Sequence, residues 1–83
     1  MTFDNLQILG TRGYLTVGNM YSNGKQIRLI TSLGTKVGYK RIIDGVIEAD
    51  LRECKDETFE AWAKYDVVSH TWKRKNEREK VFN

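Results

Sequence analysis

Residues 14–31 read YLTVGNMYSNGKQIRLIT, and residues 35–52 read TKVGYKRIIDGVIEADLR. Each run holds one turn dipeptide, Asn23-Gly24 in the first and Asp44-Gly45 in the second, flanked by strand-forming residues. Type I′ hairpin turns need positive φ at both central positions, and Asn-Gly and Asp-Gly tolerate this best. The pattern predicts two tight hairpins. Ser32 to Thr35, with Gly34, would link them into a four-stranded meander.

Two-residue turns set the registers. Ser22 then pairs with Lys25, so Met20 faces Ile27 and Gly18 faces Leu29 on one side. Tyr21 with Gln26 and Asn19 with Arg28 take the other side, because side chains alternate along a strand. The Met20 side is the more apolar near the turn and is the expected core face. In the second hairpin Ile43 pairs with Val46, Ile42 with Ile47, Arg41 with Glu48, Lys40 with Ala49 and Tyr39 with Asp50. The side with Ile42, Ile47 and Leu51 is expected inside, with Lys40 snorkelling at its rim. The side with Val37, Tyr39, Arg41 and Glu48 is expected to be solvated.

Residues 56–65 predict the one helix. Asp56 is the candidate N-cap, and Glu57 and Glu60 suit the positive end of the helix dipole. Phe59, Trp62 and Ala63 recur at spacings of three and four, giving one apolar stripe. That stripe is expected across the sheet, with Phe59 and Trp62 on Ile42, Ile47, Met20 or Leu29. Val67 to Trp72 reads as a further strand. Leu6, Ile8 and Leu9 favour a short strand over a capped helical turn. Together these elements predict an α+β fold: a four- or five-stranded antiparallel sheet covered by one helix. Residues 1–83 would form a single domain, with 72–83 as a basic C-terminal segment.

The chain has 83 residues, one cysteine and no proline. A chain of this size buries only about 60 % of its unfolded surface, so its stability should be modest. Cys54 has no partner for an internal disulfide, which fits a reducing compartment. The N-terminus shows no secretory pattern, and no apolar run approaches the roughly 20 residues of a membrane span. A soluble cytoplasmic protein with no membrane association is the expectation.

Catalytic patterns are weak. His70 is the only imidazole, and nothing in the spacing joins it to Cys54; both read as structural. Asp44 is explained by its turn and Glu48 by Arg41, so no carboxylate pair is left for acid–base work. Gly10, Gly13 and Gly18 match no phosphate loop leading into a helix. No enzymatic activity, cofactor or metal is expected.

The charge distribution is more informative. Residues 1–52 carry seven Lys/Arg against four Asp/Glu, net +3. Residues 53–66 carry two against five, net −3, and residues 67–83 carry five against two, net +3. Basic segments therefore flank an acidic helix. Trp72 leads into Lys73, Arg74 and Lys75, with Arg78 and Lys80 beyond. On the sheet, Arg28, Tyr39 and Arg41 share one face. Cations collect phosphates and exposed rings stack on unpaired bases, so these residues are the candidate nucleic-acid site, with RNA or single strands favoured over duplex DNA. The rival expectation is a protein-binding module that docks on a larger protein by strand addition or through its acidic helix. In size, lack of proline and basic tail the chain resembles small bacteriophage accessory proteins, including inhibitors of host defence. That resemblance is compositional, rests on no motif and gives no residue a role.

Overall fold

The computed structural model describes residues 6–69. The elements in order are β1 (Leu6–Thr11), β2 (Met20–Ser22), β3 (Ile27–Leu33), β4 (Lys36–Ile43), β5 (Val46–Ile47), β6 (Arg52–Lys55), α1 (Asp56–Trp62) and β7 (Tyr65–Ser69). All strands join one antiparallel sheet in the order β1-β7-β2-β3-β4-β5, with β6 also on β4. The α+β class, the β2–β3–β4 meander and the helical cover agree with the sequence reading. The expected strand at Leu6 is present. The expected strand at Val67 begins two residues earlier, and its residues 70–72 lie outside the described residues.

The second hairpin forms as the dipeptide predicts. Ile43 pairs with Val46, and Asp44 and Gly45 take φ of 52° and 80°. The first does not. Ser22 pairs with Ile27, so four residues, Asn23 to Gln26, make the turn. The Asn23 carboxamide oxygen accepts from the N–H groups of Lys25 and Gln26 at 2.9 and 2.8 Å, and the Ser22 hydroxyl accepts from Gly24 at 2.9 Å. These side chains hold the loop open in the manner of an Asx turn, so no I′ turn is needed. Met20 consequently faces Leu29 rather than Ile27. A slip of two residues leaves every side chain on its original face.

The second hairpin departs from expectation beyond Ile47. Glu48 donates one more backbone hydrogen bond, to the carbonyl of Arg41 at 2.9 Å. The chain then leaves β4 and returns as β6, with Arg52 opposite Tyr39 and Lys55 opposite Lys36. Lys40–Ala49 and Tyr39–Asp50 therefore do not pair. On the other side of β4, a bulge between Ile30 and Ser32 crowds Thr31 and Ser32 towards Gly38. A Cβ at buried Gly38 would force the Ser32 hydroxyl to turn away and would press on the Thr31 hydroxyl at 3.2 Å.

The helix lies on the face that the sequence reading assigns to solvent. Phe59 is fully buried with Tyr21, Ile30, Val37, Tyr39 and Ala63, and Trp62 and Leu15 pack on that cluster. Phe59 meets Tyr21 edge-on at 6.1 Å and Tyr39 and Trp62 at 5.6 and 5.4 Å. Such ring pairs add about 0.5–1.5 kcal/mol each beyond area burial. The expected contacts with Met20, Leu29, Ile42 and Ile47 are replaced because the tyrosines offer larger apolar bodies. The Tyr21 hydroxyl is also satisfied: it donates to the carbonyl of Tyr14 at 2.8 Å and accepts from the N–H of Thr16 at 2.9 Å. Asp56 is the first residue of α1 and not the expected N-cap; Lys55 takes that position without a side-chain hydrogen bond, and the helix ends at Trp62 rather than residue 65.

Met20, Ile42 and Val67 form a second cluster on the opposite face, with Leu6, Ile27, Leu29 and Ile47 beside it. The sheet curls around this cluster. Leu6 of β1, at one end of the strand order, lines the same cavity of about 460 Å³ as Ile42 and Ile43 of β4.

Candidate nucleic-acid interface

Strand alternation alone places Arg28, Tyr39 and Arg41 on one face, as expected. Arg28 lies directly opposite Arg41 and Ile30 opposite Tyr39 across β3 and β4. Two like charges in a directly opposed pair are unfavourable without compensation. Arg41 is compensated by Glu48, with Nε and Nη2 donating to its two carboxylate oxygens at 2.5 and 2.9 Å. This bidentate pair raises the Arg41 pKa and holds the Glu48 carboxyl below its ordinary value.

Arg28 is compensated differently. Its guanidinium lies over the ring of Trp62 at 3.9 Å, over Tyr39 at 4.5 Å and near Phe59 at 5.9 Å. It has no carboxylate partner among the described residues. Its pKa is lowered, chiefly by burial, with Tyr39 and Cys54 opposing the shift and Arg41 and Arg52 adding to it. A guanidinium stays protonated at neutral pH regardless.

Arg52 completes the group. It sits opposite Tyr39 at the start of β6 and reaches the same Glu48 oxygen at 3.8 Å. Arg41 and Arg52 thus share one carboxylate, and Arg28 beside them has none. The Nε atoms of Arg28 and Arg52 are buried with no hydrogen-bond partner. Such a cluster, with three arginines and one acid, is chemically suited to an anion that meets the outer N–H groups of the guanidinium ions.

The sequence reading misses Arg52 and Trp62 as members of this site. Arg52 comes opposite Tyr39 rather than Val37 because the chain leaves β4 at residues 48–51, and Trp62 reads from its spacing as part of the core stripe. Tyr39 is expected to stack on a base, but the residue is only 8 % exposed and forms part of the core. Trp72, Lys73, Arg74, Lys75, Arg78 and Lys80 lie outside the described residues, as does His70. Cys54 is a half-buried free thiol whose pKa burial pushes up, with Arg28 opposing and Asp56 reinforcing that shift. This is the opposite of an activated thiolate. No cluster of three or more metal-ligating side chains occurs among the described residues, and no described helix is long and apolar enough to cross a membrane.

The fold and this face define a small curled antiparallel sheet protein with one short helix and an arginine–aromatic surface. Comparison with protein family models, curated proteins and solved structures yields no match.

Proposed function

We propose that the protein is a non-enzymatic binder of single-stranded nucleic acid, RNA in preference. Arg28, Arg41 and Arg52 take the phosphate backbone, together with Lys73, Arg74, Lys75, Arg78 and Lys80. The exposed part of Trp62, at the end of α1, replaces Tyr39 as the stacking surface, alongside Trp72. The observation that carries this reading is the convergence of three arginines on one face with a single carboxylate, Glu48, which pairs with Arg41 and Arg52 and leaves Arg28 without an acid. Arg28, supported by rings rather than by an acid, has its charge uncommitted. Unpaired bases supply the stacking partner that duplex DNA withholds.

The test is an anisotropy titration of the full chain with single-stranded RNA, single-stranded DNA and duplex DNA across a salt series. Each phosphate contact on a single strand should contribute a slope of about 0.7 in log affinity against log salt. Replacing Arg28 and Arg52 with alanine should lower both affinity and slope, the slope by about 0.7 for each phosphate that is no longer neutralised. Unchanged affinity in that variant, or no binding at low salt, would remove the reading.

A second reading is a protein-binding module or inhibitor that docks on a larger protein. It is favoured by the outer edge of β1, which has no strand partner among the described residues. It is also favoured by exposed acids Glu53, Asp56, Glu57 and Glu60 along β6 and α1. Co-purification of a protein partner that an Asp56, Glu57 and Glu60 charge-reversal variant loses would favour it.

A further inference from the structure

The segment between β1 and β2 is a long connection with unusually firm anchorage. Gly13 donates its N–H to the Asp66 carboxylate at 3.1 and 3.3 Å. The Tyr21 hydroxyl ties Tyr14 and Thr16, and Gly18 donates to the carbonyl of Ile30 at 2.9 Å. Yet the Tyr14 side chain between these anchors is 95 % exposed, and nearby Leu9 and Val17 are 60 % and 52 % exposed. A ring this exposed contributes almost nothing to the core. It stands on an anchored stretch of backbone as a large amphipathic contact surface, and tyrosine is enriched among interface anchors.

Beside Tyr14 runs a cavity of about 420 Å³, with Leu9, Met20, Val67 and Val68 as its apolar lining and Asp66 within it. Asp66 has no ion-pair partner among the described residues. Lys64, two residues before Asp66, makes no ion pair with it, and Arg12, next to Gly13, turns its guanidinium to the carbonyl oxygens of Ala63 and Gly13. A carboxylate has about four acceptor sites, and the Gly13 N–H fills only part of that capacity. An apolar trough, an exposed ring and a carboxylate without a cation match one chemistry. The stem of an arginine or lysine lies along the trough, and its charged head meets Asp66 and the face of Tyr14. The same carboxylate would repel a phosphate, so a stacked nucleotide does not fit here.

We infer that Tyr14, Asp66 and the adjoining trough form a docking site for a basic side chain of a protein partner. This site is separate from the arginine face and does not depend on that face binding nucleic acid. Titration of the isotope-labelled full chain with capped tetra-arginine peptide, followed by NMR, tests it. Amide shifts should centre on Gly13, Tyr14, Asp66 and Val68, and capped tetra-glutamate should not produce them. Tyr14→Ala should weaken tetra-arginine binding about two- to fivefold, the span of an exposed cation–π contact. Asp66→Asn, which keeps an oxygen for the Gly13 N–H, should weaken it comparably. Because Tyr14 supports no core contact, its replacement leaves the fold intact and the readout clean. Absence of binding, shifts centred on Glu53 to Glu60 instead, or unchanged affinity in Tyr14→Ala would each overturn the inference.

Discussion

The two faces of the sheet are closed in different ways. One is a cluster of rings, Tyr21, Tyr39 and Phe59 with Ile30 and Val37, sealed by α1 and by the pinned connection at Leu15. The other is aliphatic, Met20, Ile42 and Val67, and is closed by the curl of the sheet itself. The ring face keeps polar tips and cations at its margin: the Tyr21 hydroxyl holds a loop, and Arg28 lies across Tyr39 and Trp62. The aliphatic cluster is built from side chains without such tips. The face with more polar letters in its sequence is the better core, because a tyrosine or arginine buries a large apolar body and exports only its tip.

Removing the central ring challenges this contrast most strongly. Phe59→Ala should cost about 3–5 kcal/mol, the usual range for a fully buried phenylalanine. Ile42→Val on the aliphatic face should cost only about 0.5–1.5 kcal/mol. Urea denaturation of both variants measures the difference. Equal losses would mean that the ring face is not the dominant core.

Tyr21→Phe keeps the ring and deletes the polar tip. The Tyr14 carbonyl and the Thr16 N–H then lose their shared partner, at a cost of about 1–3 kcal/mol if water does not replace it. Hydrogen exchange at Thr16 and Gly18 should accelerate more than exchange in β4. Unchanged protection there would show that the connection is held by its other bonds.

The smallest effect lies at the edge of the ring face, in the Arg41–Glu48 pair. The Glu48 carboxyl is held below its ordinary value, first by the Arg41 hydrogen bond and against a partial cost of burial. A carboxyl depressed in the folded state stabilises above its unfolded value, about pH 4.3, and loses that contribution as pH falls through its folded value. The stability gap between the parent and Glu48→Gln should therefore be widest near neutrality and close in acid. Thermal melts across that range measure it, and a gap independent of pH would sink the prediction.

The two turn dipeptides show how far local sequence reaches. Asp44-Gly45 has flanking residues, Ile43 and Val46, that offer nothing to compete with the backbone, and it adopts the tight turn. Asn23-Gly24 is preceded by Ser22, whose hydroxyl bonds Gly24 while the Asn23 side chain bonds Lys25 and Gln26. The same dipeptide class therefore yields a four-residue loop. A four-residue loop still keeps Met20 and Leu29 on one face, so the grouping of Arg28, Tyr39 and Arg41 is legible despite the wrong register.

Local rules determined β3, β4, the Asp44-Gly45 turn, the presence of the helix and which side chains share a face, but not the short extent of β2 and β5. Each depends on dihedral preference or alternation within a few residues, which the amino-acid order carries directly. Which face the helix covers was settled only by packing across the whole chain. That choice compares total ring burial on the two faces and requires a partner for the Tyr21 hydroxyl from a distant connection. It then buried Tyr39, set Trp62 against Arg28, and left Tyr14 in solvent beside Asp66. Alternation gives Arg52 its face, but β6 re-entered the sheet two residues out of the hairpin's register and so moved Arg52 from a place opposite Val37 to one opposite Tyr39, a pairing between segments that neither segment specifies alone.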